Sequence, residues 1–227
     1  MKRILTLIVI MLFAYASGIA QDCSGFDMMK ENTFIEMKNY DGKQKLTGTI
    51  RQTVKEVRET NEGTVIKIES EQLDKKNKSE GVMNLEMRCK DGVFYMDMQS
   101  FFNSASMGNT EDMEISVDAT DLVYPGKMQV GQELPDGNLV MSIVSGSIPM
   151  NMSVKIFNRK VEGIETITTP AGSYECYKIT YDIETKSIIK MTNSAAQWFS
   201  EKVGAVRSET YSKGKLVGYS ELTVFRN

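Results

Sequence analysis

Histidine is absent from all 227 residues, tryptophan occurs once, cysteine three times and proline four times. Without histidine the chain lacks the usual general base, the usual partner of a nucleophilic serine or cysteine, and the commonest metal ligand. Excess charge of either sign is also missing. A formal net charge of −3 gives no support to binding driven by phosphate charge, so nucleic acid is excluded as a partner. Beyond the first twenty residues no apolar run approaches the roughly 20 residues that a membrane-spanning helix needs. No low-complexity linker, composition shift or internal repeat divides the chain. What remains is ordinary globular material, 41% hydrophobic and 25% charged. Such a chain makes one domain of about 200 residues that buries roughly 70% of its unfolded surface.

The first twenty residues read as an address. Lys2 and Arg3 precede an apolar run, Ile4 to Ala16, broken only by Thr6, and Gly18 and Ala20 occupy the small-residue positions of a cleavage site. That three-part pattern is a secretory signal peptide, and the run is too short for a membrane anchor. Residues 1–20 are therefore expected to be removed, leaving 21–227 as a single β-rich domain in the periplasm. Cys23 is not expected to be lipidated, because Gln21 and Asp22, rather than small residues, stand before it.

Cys23, Cys89 and Cys176 make an odd count for an oxidising compartment. The natural arithmetic is one disulfide and one free thiol, with three possible pairings. Cys89 falls in phase with Met83, Leu85 and Met87, an inward face, whereas Cys176 falls in phase with Lys178, Thr180 and Asp182, a polar one. Cys23 with Cys89 is the preferred pair.

Alternation with period two dominates the mature chain and reads as strands. Leu46, Ile50 and Val54 share a parity in a stretch ending near Arg58. Thr60-Asn61-Glu62-Gly63 is a turn, Thr64–Ser70 returns, and Asp74–Lys78 is a polar hairpin tip. Met83, Leu85, Met87 and Cys89 alternate with polar residues, Lys90-Asp91-Gly92 reverses the chain, and Phe94, Met96 and Met98 follow on the next strand. A less regular middle holds a short helix or loop at 101–107, then an acidic stretch with Glu111, Asp112, Glu114, Asp118 and Asp121, read as a solvated loop. The segment between Pro125-Gly126 and Pro135-Asp136-Gly137 is expected on the surface. Strands resume at 139–144, 150–157 and 161–168. Thr169-Pro170-Ala171-Gly172 suits a type I turn before strands at 174–186, 203–211 and 216–225, the last two joined through Ser212-Lys213-Gly214-Lys215. The short helix is expected near 101–107 or near 192–198. The fold class is mainly β, a strongly curved antiparallel sheet or half-barrel with short helices.

Templates for chemistry fail. The chain has no G-x-S-x-G elbow and no glycine loop for phosphates. Ser187-Ile188-Ile189-Lys190 matches S-x-x-K, but its companion elements are missing and it sits in strand-like sequence. The acidic stretch lacks the spacing and central glycine of a calcium loop, so no metal site and no cofactor is expected. Methionine is the compositional oddity, at 16 residues. Its thioethers suit Cu(I), core packing, or an adaptable apolar groove, and dispersed pairs without histidine argue against copper. Trp198-Phe199 is the other concentration of apolar bulk.

The C-terminal third adds a resemblance. Thr169-Pro170-Ala171-Gly172-Ser173-Tyr174-Glu175-Cys176-Tyr177-Lys178, the segment from Trp198-Phe199 through Val203-Gly204 to Glu209, and Gly214–Tyr219 resemble TapB-like exported proteins of the Bacteroidetes envelope. Cys89–Tyr95 and Val130–Gly137 resemble them too. The resemblance implies a periplasmic protein with a curved antiparallel sheet, akin to the half-barrels of lipoprotein carriers, and carries no catalytic residues. The expected function is thus a non-catalytic envelope module that works through a protein partner. The alternative is a carrier or sensor of an apolar, lipid-like ligand in a groove lined by Met83, Met87, Met96, Met98, Met150, Met152 and Trp198. An enzyme using carboxylates alone is the least favoured reading.

Overall fold

The computed structural model describes Cys23, Met28 and residues 30–102, 113–145 and 148–227. The leader, Glu111, Asp112 and positions 103–107 of the expected helix lie outside those residues. A first meander runs through β1 (Phe34–Asp41), β2 (Leu46–Thr60), β3 (Gly63–Asp74), β4 (Ser79–Lys90) and β5 (Val93–Met96). A 3-10 helix, Met98–Phe102, follows, and then β6 (Met113–Thr120) and β7 (Leu122–Pro125). The second meander is β8 (Gly137–Ser145), β9 (Ile148–Thr169), β10 (Gly172–Lys186), β11 (Lys190–Ser200), β12 (Gly204–Ser212) and β13 (Lys215–Arg226).

One antiparallel sheet holds all of these strands, in the order β6-β8-β9-β10-β11-β12-β13-β1-β2-β3-β4-β5-β7. The two meanders meet where β1 pairs with β13, Phe34 opposite Arg226 and Asp41 opposite Gly218. The outermost strands, β6 and β7, are consecutive in the chain and separated by Asp121 alone. A sheet that begins and ends on such neighbours has to curl until its edges approach, and the result is a nearly closed barrel. Register shifts supply the coiling, at Val54/Glu56 in β2, Lys178/Ile179 and Thr180/Asp182 in β10, and Trp198/Phe199 in β11. Each such bulge adds local twist.

Tight turns follow from local sequence. Asp91 (φ 53°) with Gly92 (φ 71°) and Lys213 (φ 50°) with Gly214 (φ 74°) place two left-handed residues in succession, as two-residue hairpins require. Gly63 (φ 112°) is obligatory for a second reason: a Cβ there would lie 2.3 Å from the Cys89 carbonyl oxygen.

Several expectations need correction. Residues 192–198 belong to β11 and not to a helix, because their small and polar residues are paired on both sides by β10 and β12. The described part of the acidic stretch, Met113–Thr120, is strand β6, hydrogen-bonded to β8, and Asp121 pairs with Arg88 at 2.6 Å. The strands expected at 150–157 and 161–168 form one 22-residue strand, bulged where Asn158 takes φ 54°. Met98 starts the 3-10 helix and does not extend β5. The loop between Gly126 and Asp136 is not purely superficial, since Met128 and Leu134 are buried in the core. β1, which had no counterpart in the sequence reading, completes the barrel. Cys176 is buried although its phase is polar, and it belongs to the same buried cluster as Trp198.

The interior is packed from every wall. Phe94, Ile66, Leu139, Met141, Ile179, Leu222, Val161 and Val206 are fully buried. Across the seam runs Arg159, only 2% exposed and projecting from the β9 bulge. Its Nη1 donates to the Val123 carbonyl of β7 at 3.0 Å and to the Pro135 carbonyl at 2.7 Å. The guanidinium also lies 4.8 Å from the centre of the Tyr124 ring, which in turn stacks on Phe199 at 5.0 Å. Burial lowers the basicity of Arg159, and Tyr124, Tyr181 and Asp136 oppose that effect.

Cys23 is bonded to Cys89, which ties the N-terminal segment to the end of β4 across a separation of 66 residues. Opening that loop in the denatured state costs the native fold roughly 3–4 kcal/mol. Reduction, or Cys23→Ser, is therefore expected to lower the urea midpoint without changing the cooperativity; an unshifted midpoint would show that the bond contributes nothing. Arg159→Ala removes the donor that serves the Val123 and Pro135 carbonyls and leaves a void beside Tyr124. It is expected to lose about 3–5 kcal/mol by the same unfolding assay, with Arg159→Lys restoring only part.

Candidate functional site

Two regions hold the side chains singled out by their chemistry. The first is a cavity of about 210 Å³ inside the barrel. Ile35 and Met37 of β1, Ile50 and Val54 of β2, and Met87 of β4 reach it, because successive alternate residues of each strand point inward. Met96 of β5 pairs directly with Met87, so those two thioethers share one wall. Tyr124 and Phe199 close the opposite side, and Tyr124 Oη donates to Gln197 Oε1 at 3.0 Å. Gln52, Ser208 and Ser220 are the other polar groups facing in.

Of the seven groove candidates, only Met87 and Met96 line this cavity. Met83 packs beside them against the core, and Met98 is buried in the core from the 3-10 helix. Met150 and Met152 lie elsewhere, 59% and 36% exposed at the far end of β9. Trp198 is buried but points away from Phe199, to the opposite face, where its indole N–H donates to Glu165 Oε2 at 2.7 Å. Lys178 Nζ sits 5.1 Å from the centre of the same ring and 3.1 Å from Glu165 Oε1. Met37 and Tyr124 had no place in the sequence reading, while Phe94 and Phe199 were read as strand and apolar bulk without a place in the groove. Their signal was present only as alternation in β1 and as the partner positions of Met96 and Trp198.

The second region is the rim where β8, β9, β10 and β11 end. Met150, Met152, Val140, Ile188, Ile189 and Met191 are all exposed, Ile188 to 98% and Ile189 to 70%. Ile188 sits over an open groove formed with Ile143, Met150 and Met152. Single exposed apolar residues are common on any surface, but a contiguous group is not.

Little in either region is equipped for bond-making. Burial pushes the Cys176 thiol up to about 12, so it is an inert neutral thiol. Among the described residues no group of three or more carboxylates and cysteines is placed to hold a metal ion. The outer wall instead carries ion pairs, including Lys55–Glu69, Lys67–Glu56 and Arg207 with Glu209 and Glu221. Among the described residues no helix is long and apolar enough to cross a membrane.

A nearly closed antiparallel meander barrel with a charged outer wall, a small apolar void and an exposed apolar rim defines a class of mainly β modules. Within that class the chain belongs to the DUF3108-like family, whose model matches residues 30–222. It is similar to a Bacteroides fragilis protein described as exported and as having a YmcC-like fold, with 25% identity and a TM-score of 0.72 over 89% of this chain and 99% of that one. It is also similar to a protein of Parabacteroides distasonis described as a lipoprotein, with 26% identity and a TM-score of 0.71 over 91% of this chain and 100% of that one. No curated protein matches the chain.

The bonds from Trp198 and Lys178 hold the Glu165 carboxyl below its ordinary value of 4.5. A depressed carboxyl stabilises the fold above its unfolded pKa and loses that contribution as pH falls through its folded pKa. Trp198 is the chain's one tryptophan, so its emission reports this titration. An acid transition in fluorescence is expected with a midpoint below 4.5, absent in Glu165→Gln.

Proposed function

We propose that the protein is a non-catalytic module of the cell envelope that acts by surface contact with another envelope component. One observation carries the reading: the interior holds only a small void, while Met150, Met152, Val140, Ile188, Ile189 and Met191 form an exposed apolar group at the β8–β11 rim. The residual void of about 210 Å³ is below the about 300 Å³ at which ligand pockets usually begin.

Export supports the same reading. The n-region, apolar run and small-residue site of residues 1–20 match a Sec leader, and the two similar structures are of proteins described as exported and as a lipoprotein. Lipidation of this chain at Cys23 is disfavoured because that thiol is engaged with Cys89. Such a bond also suits the periplasm. The narrower kinship to TapB-like proteins rests on the Thr169–Lys178 and Trp198–Glu209 segments. That the module is no enzyme is supported by the missing histidine and by the raised pKa of the buried Cys176 thiol.

A second reading, a carrier of a small apolar molecule, is favoured by the cavity lining of Met37, Met87, Met96, Phe94 and Phe199. A dry apolar void on the order of 150 Å³ suffices for a benzene-sized guest. Native mass spectrometry of the exported protein, purified without detergent, separates the two. The contact reading expects the bare mature mass, short by the two hydrogens of one disulfide. A stoichiometric apolar adduct that disappears on unfolding would overturn it in favour of the carrier.

A further inference from the structure

The strict antiparallel order decides which turns lie together. Moving along the sheet, the β10–β11, β12–β13, β1–β2 and β3–β4 turns are successive hairpins and fall at one rim, beside the apolar ends of β8 and β9. The β2–β3, β4–β5, β9–β10 and β11–β12 turns fall at the other. Register confirms the neighbours: Asp41 of β1 lies opposite Gly218, just past the β12–β13 turn, and Gly48 of β2 lies opposite Asp74.

The two rims differ in charge. On the first, the β1–β2 turn carries Lys43 and Lys45, and the β3–β4 turn carries Lys75, Lys76 and Lys78. The β12–β13 turn adds Lys213 and Lys215, and the β10–β11 tip adds Lys186 and Lys190. All of these lysines are exposed. Only Lys190 is in an ion pair with a described residue, Glu184 at 2.7 Å. Two carboxylates of this rim face inward on their own turns. Asp41 accepts from the backbone N–H groups of Lys43 and Lys45, and Asp74 from those of Lys76 and Lys78. The opposite rim mixes Lys90 and Lys202 with Glu62, Asp91 and Glu201. A chain of net charge −3 thus gathers nine exposed lysines on the turns of one end.

Apolar side chains stand within the same rim. The β10–β11 hairpin outreaches its neighbour, since Ser194 of β11 is already opposite Tyr211 near the β12–β13 turn. Ile188 and Ile189 sit at its tip, flanked by Lys186 and Lys190, with Met191 exposed just below and Met150 exposed beside them on β9, which runs on past the Lys186–Ser153 pair. Nothing in β10 or β11 requires isoleucine at a hairpin tip. A ring of cations around a projecting apolar tip matches the layering of an anionic lipid surface: phosphates at the level of the lysines, acyl chains at the level of the isoleucines. Nucleic acid would satisfy the lysines but leave the isoleucines in water.

Building on the surface-contact reading, we propose that this rim is a docking surface for an anionic lipid bilayer, entered by Ile188 and Ile189 and held by the surrounding lysines. The protein then sits end-on at the membrane with the Cys23–Cys89 end away from it.

Vesicle flotation of the purified exported protein tests this. The wild type is expected to float with vesicles of phosphatidylglycerol and phosphatidylethanolamine and not with phosphatidylcholine alone. Ile188→Glu/Ile189→Glu is expected to reduce flotation by at least about tenfold while its thermal unfolding stays unchanged, because neither side chain packs on the core. A Lys75→Gln/Lys76→Gln/Lys213→Gln variant, remote from the tip, is expected to weaken flotation in proportion to salt sensitivity. No flotation of the wild type on anionic vesicles, or flotation undiminished in the isoleucine variant, overturns the proposal. If the wild type does not float but is a dimer that the isoleucine variant dissociates, the rim joins two copies. The lipid proposal then falls while the surface-contact reading stands.

Discussion

A sheet whose first and last strands are joined by a single residue has no freedom to lie flat. Asp121 links β6 to β7, and these two strands bound a sheet of thirteen. Every other feature accommodates that closure. The bulges in β2, β9, β10 and β11 supply the twist, and the β1–β13 pair welds the two meanders on the side opposite the seam. Arg159 is the side chain that crosses the seam, and the left-handed Asn158 before it turns the bulge so that the guanidinium enters the interior. What distinguishes arginine from lysine here is its planar guanidinium, which lies over the Tyr124 ring while its Nη1 donates to both carbonyls.

Closure also determines what kind of site the molecule offers. Thirteen strands around a void of about 210 Å³ make a filled barrel, in which Met87 and Met96 act as gap-filling packing beside Phe94. The chemistry available to a partner lies instead on the outside. Antiparallel meanders sort their turns onto two rims, so a turn's sequence becomes the property of a whole end of the barrel. Four separate lysine-bearing hairpins, unremarkable singly, become one basic arc.

The strands were legible wherever one face is apolar and the turn is marked. The hairpin at Asp74–Lys78, the reversal at Lys90–Gly92 and the Thr169–Gly172 turn all stand where alternation and turn residues place them. The Cys23–Cys89 pair followed from the inward phase of Cys89. Alternation misled where both faces are covered. Cys176 keeps the phase of Lys178 and Thr180, yet it is buried, as is Trp198. Residues 192–198 carry no strong period, and pairing on both sides made them strand. β6 reads as solvated because it is an edge strand on which Ser116, Asp118 and Thr120 are exposed.

The groove candidates divide along the same line. Methionines four residues apart on β4, or paired across β4 and β5, stay together because local register holds them. Met150, Met152 and Trp198 join or leave them only according to which end and which face of a 22-residue bulged strand and its neighbours they occupy.

The sequence by itself determined a β-rich chain of hairpins, its turns, its inward cysteine and its lack of histidine chemistry, because each depends on residues within a few positions of one another. Only the tertiary structure decided that the sheet closes, that the methionines separate into packing and rim, and that scattered lysines converge on one end. Those depend on strand order and on the direction of coiling, which are set by contacts between residues far apart in the chain.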